Sequence, residues 1–326
     1  MSRSKNAATK AGRENEMYIF DKRITIEERD FLEKYLNAYE YKTSGLSFSA
    51  LYMWRDINQF SWEEIGDYMC ITGVSHLELE EGIELPFLFP PLTKTGEYDR
   101  EKLRQTIFDA KAIFDEQGHP FSLRLVPFHL MEIIREAVPE LKWQDDRPNY
   151  DYIYLTQDLI DLKGRDFHKK KNHLNYFKKT YDYEYIEMGS DMAEEAMEFI
   201  AEFNSRKEVP AHEMEMLKME ERAMEDVFHN IEAVNYSAGA IRIDGKIEAI
   251  AIGGQLGGNM ITEHVEKANV NFRGLYQAIN NEFCKNVASR AKYINREEDM
   301  GIPNLRKAKL SYRPCKLLEK YIATFR

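Results

Sequence analysis

Residues 238–265 read AGAIRIDGKIEAIAIGGQLGGNMITEHV, and this run decides the fold. Apolar residues alternate or run together through 238–243, 247–255 and 260–265, so three strands are expected. Asp244-Gly245 and Gly257-Gly258-Asn259 separate them, and those residue types tolerate the positive φ that short hairpin turns require. The three strands therefore form an antiparallel meander.

Working outward from the meander, residues 274–289 carry a helical period, 292–295 form a short strand, and Pro303 opens a further helix at its first turn, where a missing N–H costs nothing. A meander followed by helix, strand and helix is the order of the N-acetyltransferase-type fold. There the acyl donor sits where the fourth and fifth strands splay apart, against the N-terminus of the helix between them.

Upstream, 150–155 and 183–188 read as strands on either side of a basic segment, and helices are expected over about 191–207 and 212–230. Arg147-Pro148-Asn149 is the natural boundary, since proline disfavours helix at the preceding residue and asparagine suits a turn. Before it, Thr25-Ile-Glu-Glu28 forms a capping box that starts a helix near Ile26. Residues 60–91 are strand-rich, with strands at 68–72 and 85–89. Asp99 caps a helix that runs to about Gln117 and is stopped by Gly118. A strand at 121–126 and a helix at 128–138 follow. The expected fold class is α/β, of the α+β kind with mixed sheets, in two tandem N-acetyltransferase-like domains. The divisions are 1–16 as a disordered tail, 17–148 and 149–326.

The 326 residues suffice for two domains with their own cores. Hydrophobic residues make up 43% of the chain, with a mean hydropathy of -0.57. No stretch approaches the roughly 20 apolar residues of a spanning helix, and the polar start lacks the apolar segment of a signal peptide. A cytoplasmic protein without a membrane span is expected. Cys70, Cys284 and Cys315 are too scattered for a disulfide framework and are read as small buried residues. No His/Cys or HExxH spacing is present, so no metal is expected.

Three constellations carry chemistry. The segment KGRDFHKKKNHLNYFKK (163–179) holds seven Lys/Arg and two His against one Asp, in a chain of net charge -11. A solvated helix face explains such a run; so does a surface for an anion such as phosphate. On a helical wheel Phe167, Leu174 and Phe177 form an apolar stripe with Lys170 in its middle. Lys170 either snorkels or points into a polar cavity. His168, Lys169 and Lys171 lie elsewhere on the wheel or at the stripe's edge. The second cluster is Glu263-His264-Val265-Glu266 at the end of the third meander strand. Alternation puts Glu263 on one face and His264 with Glu266 on the other. There they act as bases toward an attacking amine or hydroxyl, or form a cross-strand charge pair. The third runs from Asn295-Arg296 through Asp299 to Arg306, Lys309 and Tyr312, where Lys309 again interrupts a mainly apolar face. Gly253–Gly258 lies in a hairpin and is no phosphate loop. Where an acetyl-CoA enzyme carries its glycine-rich pyrophosphate loop, this chain has only Gly274.

At Leu51-Tyr-Met-Trp-Arg55, Phe89-Pro-Pro-Leu92, His168-Lys-Lys-Lys-Asn-His173, Glu263-His-Val-Glu-Lys-Ala268, Gly274-Leu-Tyr-Gln-Ala278, Asn295-Arg-Glu-Glu-Asp-Met-Gly301 and Lys309-Leu-Ser-Tyr312, the chain resembles a bacterial family. Its members are soluble proteins related to the C-terminal cytosolic domain of phosphatidylglycerol lysyltransferases. The resemblance implies tandem acetyltransferase-like domains with a basic helix near their junction. It also implies transfer of an aminoacyl group from a charged tRNA to a lipid headgroup hydroxyl, or, in the related Fem-type enzymes, to a peptidoglycan-precursor amine. Carried over, His168, Lys169, Lys170 and Lys171 would contact tRNA or phosphate. Asp299, Arg306 and Lys309 would line the acceptor-ester site, with Asn295, Arg296 and Tyr312 beside them.

The leading expectation is an aminoacyl or acyl transferase using aminoacyl-tRNA as donor to a lipid or small amine or hydroxyl acceptor. Lysines such as Lys170 and Lys309 would neutralise donor phosphate or carbonyl oxygen, and Glu263, His264 or Glu266 would assist deprotonation. The alternatives are an N-acyltransferase using acyl-CoA and a non-catalytic anion-binding module.

Overall fold

A computed structural model describes residues 17–38, 42–75, 85–206, 210 and 214–325. The tail expected to be disordered, 1–16, lies outside the described residues. In chain order the first half comprises β1 (Lys22–Arg23), α1 (Arg29–Leu36), α2 (Phe48–Met53), β2 (Ser61–Ile65), β3 (Tyr68–Ser75), β4 (Leu85–Leu88), α3 (Arg100–Glu116), β5 (Ser122–Pro127), α4 (Phe128–Ala137) and β6 (Lys142–Asp145). Helix α3 starts where expected because the Asp99 side chain accepts the Lys102 amide at 3.0 Å. It buries Leu103, Ile107, Ala110 and Phe114 at helical spacing. Helix α1 begins later than expected, at Arg29. No side chain caps its start, where Glu28 is the N-cap residue, and 25–28 form only a turn.

The second half comprises β7 (Asp151–Leu155), α5 (Thr156–Asp161), the basic α6 (His168–Thr180), β8 (Tyr183–Met188), α7 (Ala193–Ser205), α8 (Met214–His229), α9 (Ile231–Val234), β9 (Tyr236–Ile243), β10 (Lys246–Gln255), β11 (Met260–Ala268), α10 (Leu275–Asn286), β12 (Tyr293–Asn295), α11 (Pro303–Leu310), β13 (Lys316–Leu318) and β14 (Lys320–Thr324). The meander is present as read: β10 pairs antiparallel with both β9 and β11. Pro303 occupies the first turn of α11.

Among the described residues the strands form two sheets, ordered β1-β2-β3-β4-β5-β14-β6 and β13-β7-β12-β11-β10-β9-β8. They repeat one plan. Four antiparallel strands are followed by a helix, α3 or α10, and then by a parallel fifth strand: β5 beside β4, β12 beside β11. This is the expected tandem acetyltransferase-like architecture of mixed sheets. Among the strands described, only the last crosses over. β7 opens the second half and lies between β12 and β13 of its own sheet, whereas β14 leaves that half to insert between β5 and β6 of the first sheet. The expected boundary falls at the 3-10 turn Arg147–Asn149, just ahead of β7, and the last strand returns across it.

The second sheet separates two cores. One face, with Ala238, Ala240, Ile250, Ile252 and Val265, joins α7, α8 and the whole first half in a continuous apolar cluster. The other, with Ile241, Ala249, Ala251 and Ile261, packs with Phe283 of α10 and Leu174 and Phe177 of α6. Burying one apolar face on each side leaves the polar groups at the strand ends as the feature to explain. Cys70 and Cys284 are buried as expected, but Cys315 is exposed, because it sits past α11 where the chain runs along the edge of β7.

Candidate functional site

Strands β11 and β12 pair over only three positions, Met260 with Tyr293 to Thr262 with Asn295. Beyond Thr262, β11 continues beside β10 alone, and after Asn295 the chain is drawn toward β7: Arg296 N–H donates to the Tyr152 carbonyl at 3.0 Å and Tyr152 N–H to the Glu297 carbonyl at 3.1 Å. The strands therefore splay where the fold predicts an acyl site.

Pairing of β10 with β11 jumps from Ile252–Val265 to Gly253–Glu263, so His264 is the extra residue of a β-bulge. The bulge corrects the expected alternation. Glu263 and Glu266 reach the same guanidinium, and His264 turns to the opposite face.

That guanidinium is Arg296, whose side chain is only 11% exposed. Its Nε donates to Glu263 Oε2 and its Nη2 to Glu266 Oε2, the latter at 2.7 Å. Burial pushes the Glu266 carboxyl up to about 8; Arg296 opposes this, and the charge of the neighbouring Glu263 reinforces it. Glu263 itself is 4% exposed, and its Oε1 is buried without a hydrogen-bond partner among the described residues. Tyr312 closes the cluster, 5.2 Å from the guanidinium, with its phenol pushed well up by burial and by Glu266.

Lys170 reaches this cluster. Its Nζ stands 4.1 Å from the Tyr312 ring centroid, a cation–π distance. Burial and then Arg296 lower its pKa, against the pull of Glu266. Of the two orientations open to it from sequence, Lys170 takes the inward one. Helix α6 can come this close because Gly274, at the start of α10 with φ 92, lies under it: a Cβ there would meet the His173 carbonyl oxygen at 2.4 Å. His168, Lys169 and Lys171 are exposed on the outer side.

The third cluster divides. Lys309 donates to the carbonyls of Arg296 and Glu298, so its ammonium fastens the segment that carries Arg296. Asp299 is fully buried and accepts both forks of Arg306 at 2.8 Å, Arg147 at 3.1 Å, the Tyr152 hydroxyl at 2.6 Å and the Gly301 amide at 2.9 Å. Burial alone would raise its carboxyl, but these donors, Arg306 foremost, pull it down to about 2. Asn295 bridges the Lys42 carbonyl, Asp151 and the Glu297 amide. The face Leu305, Ala308 and Lys309 is not buried.

Two residues escaped the sequence reading. Ser49 Oγ lies 2.9 Å from His264 Nε2, and Glu297 Oε1 lies 2.8 Å from His264 Nδ1. The available signal was Gly253-Gly254 inside a strand, which marks a close approach. A Cβ at 254 would stand 2.5 Å from Ser49 Oγ.

Against known proteins, residues 36–324 match the family model described as phosphatidylglycerol lysyltransferase, C-terminal. A conserved protein of unknown function from Bacteroides thetaiotaomicron is 33% identical, with a TM-score of 0.79 over 94% of this chain and 99% of that one. The structure of L-PGS from Bacillus licheniformis shares the fold at 11% identity, with a TM-score of 0.61 over 94% and 93% of the two chains. An uncharacterised protein of Mycoplasmoides gallisepticum is 24% identical over 174 residues, which are 52% of this chain and 54% of that protein. The match thus spans about half the length of this curated relative.

Proposed function

Because this chain belongs to the phosphatidylglycerol lysyltransferase C-terminal family, we propose that it is an aminoacyl transferase that takes an acyl group from the ester of an aminoacyl-tRNA and passes it to an amine or hydroxyl of a small or lipid-headgroup acceptor. The observation that carries this reading is the convergence of Lys170, Tyr312, Arg296, Glu266 and Glu263 in the splay between β11 and β12.

The residues divide the chemistry between them. The acceptor attacks the ester carbonyl carbon, and Glu263, through its unpartnered Oε1, takes the acceptor's proton. Charge develops on the carbonyl oxygen, where the Lys170 ammonium opposes it in a poorly solvated setting. Glu266, protonated at neutral pH, gives its proton to the departing ribose oxygen. The proton then passes from Glu263 to the neighbouring Glu266, which the same guanidinium holds beside it. Arg296 holds both carboxyl groups and stays cationic throughout. Outside the site, Lys169 and Lys171 on the exposed side of α6 supply charge for a phosphate backbone.

An acyl-CoA donor is the weaker reading. The N-terminus of α10, where a pyrophosphate would need open backbone amides, has the His173 carbonyl packed against it. The test is a filter-binding titration with aminoacyl-tRNA at rising salt. Saturable binding that weakens steeply with salt, and is lost in Lys169→Ala/Lys170→Ala/Lys171→Ala, is expected. Binding that is absent or indifferent to these changes refutes the tRNA donor.

A further inference from the structure

A second set of reactive side chains lies on the other face of β11, away from Glu263 and Glu266. Ser49 Oγ, His264 and Glu297 stand in line, with contacts of 2.9 Å at Nε2 and 2.8 Å at Nδ1. Nδ1 faces a carboxylate and so carries the proton, which leaves Nε2 as an acceptor for the serine hydroxyl. These are the roles of a nucleophilic serine, its general base and the acid that orients the base.

The arrangement is held from several sides. The Tyr236 hydroxyl donates to the Ser49 carbonyl at 2.7 Å, and its ring meets the imidazole edge-on at 6.2 Å. Glu297 sits at φ 56, a strained conformation for a non-glycine residue, fixed by the Asn295 side chain on its amide and the Tyr152 amide on its carbonyl. Gly254 leaves the space that the Ser49–His264 contact occupies, since a Cβ there would stand 2.5 Å from Oγ. Ser49 comes from the first half of the chain and His264 and Glu297 from the second, so the set exists only when the two halves are docked.

Ser49 also lines a cavity of about 190 Å³ between the halves, whose wall mixes Phe48, Leu256 and Met260 with Arg29, Glu33 and Gln255. That volume is of the order that holds a benzene-sized group. We propose that Ser49 is an acyl-accepting nucleophile and that this cavity takes short-chain carboxylic esters or similarly activated acyl groups. Ser49 Oγ bonds to the carbonyl carbon while His264 Nε2 takes the hydroxyl proton. The ester C–O bond breaks, and the leaving alkoxide receives that proton from Nε2. Water then gives a proton to Nε2 as its oxygen attacks the acyl carbon, and the acid leaves as Ser49 recovers its proton. Glu297 holds Nδ1 throughout and so keeps the imidazole oriented. This activity does not depend on the tRNA reading, because it shares no side chain with the Arg296 cluster.

The full chain is treated with di-isopropyl fluorophosphate and, separately, with 4-nitrophenyl acetate, followed by intact mass and peptide mapping. One adduct on Ser49, with a burst of 4-nitrophenolate, is expected from the folded protein and not from the heat-denatured one. Ser49→Ala should abolish both, and Glu297→Gln should slow the burst by at least about 100-fold while leaving the melting curve in place. Folded wild-type protein with no label on Ser49 overturns the proposal, and so does labelling of Ser49 that is equally fast in His264→Gln. The wild-type comparison stands even if a variant fails to fold.

Discussion

Lys320, the first residue of β14, donates to Asp151, the first residue of β7, at 2.6 Å, and both side chains are almost wholly buried. β7 begins the second half and β14 returns from it to the first sheet, so one ion pair joins the start of both strands. Asp151 also accepts from the Ser44 amide and hydroxyl and from Asn295, which ties the first half of the chain to the same carboxylate.

Removing one partner of such a pair leaves an uncompensated buried charge, and Lys320→Met should cost about 3–5 kcal/mol. Since the second half supplies β14 to the middle of the first sheet, unfolding should remain a single transition. Calorimetry checks both: two separated transitions would contradict this coupling.

The two inward lysines should respond oppositely. Lys309 saturates carbonyls of the segment bearing Arg296, and Lys309→Met should lower stability by roughly 1–3 kcal/mol. Lys170 rests on the Tyr312 ring and is disfavoured by burial and by Arg296, so Lys170→Met should leave the melting temperature unchanged or raised while transfer falls. Urea unfolding of the pair, read beside activity, separates the roles.

Glu266 gives stability a pH slope. Above about pH 4.5 the unfolded carboxyl releases its proton, while the folded one holds it up to about pH 8. The folded state binds more protons in that window, so stability falls as pH rises, by up to ~1.4 kcal/mol per unit. Glu298, pushed up to about 7 by burial, adds a slope that ends sooner. Glu266→Gln should therefore flatten the curve most clearly between pH 7 and 8, as urea midpoints at closely spaced pH values would reveal.

Gly274→Ala should separate α6 from α10. A Cβ would press on the His173 carbonyl, and φ 92 is strained for alanine, so a loss of about 2 kcal/mol or more is expected. Limited proteolysis should then cut within 163–179 first.

Local signals carried much of this fold. The Gly and Asn turns of the meander, the Asp99 cap and Pro303 at the start of α11 act within a few residues, and each is where the sequence placed it. The crossing of β14 has no such signal, because Lys320–Thr324 pairs with residues more than 170 positions away and nothing nearby names the partner. In the site, Lys170 was legible as a cation on an apolar stripe. The bulge at His264 was not, since one inserted residue reverses every facing beyond it. Ser49 belongs to a six-residue helix and stands just ahead of the Leu51–Arg55 stretch, which carries no catalytic pattern, and only the paired glycines opposite hinted at its neighbour.

The most direct test charges total tRNA with radiolabelled amino acids and follows ester-bound label over time with purified protein and a bacterial lipid and polar extract as acceptor. Label passing from tRNA into an extractable product, at a rate at least about 100-fold greater for wild type than for Lys170→Met, is the predicted result. Loss no faster than uncatalysed hydrolysis, or equal rates for the two proteins, would contradict the account.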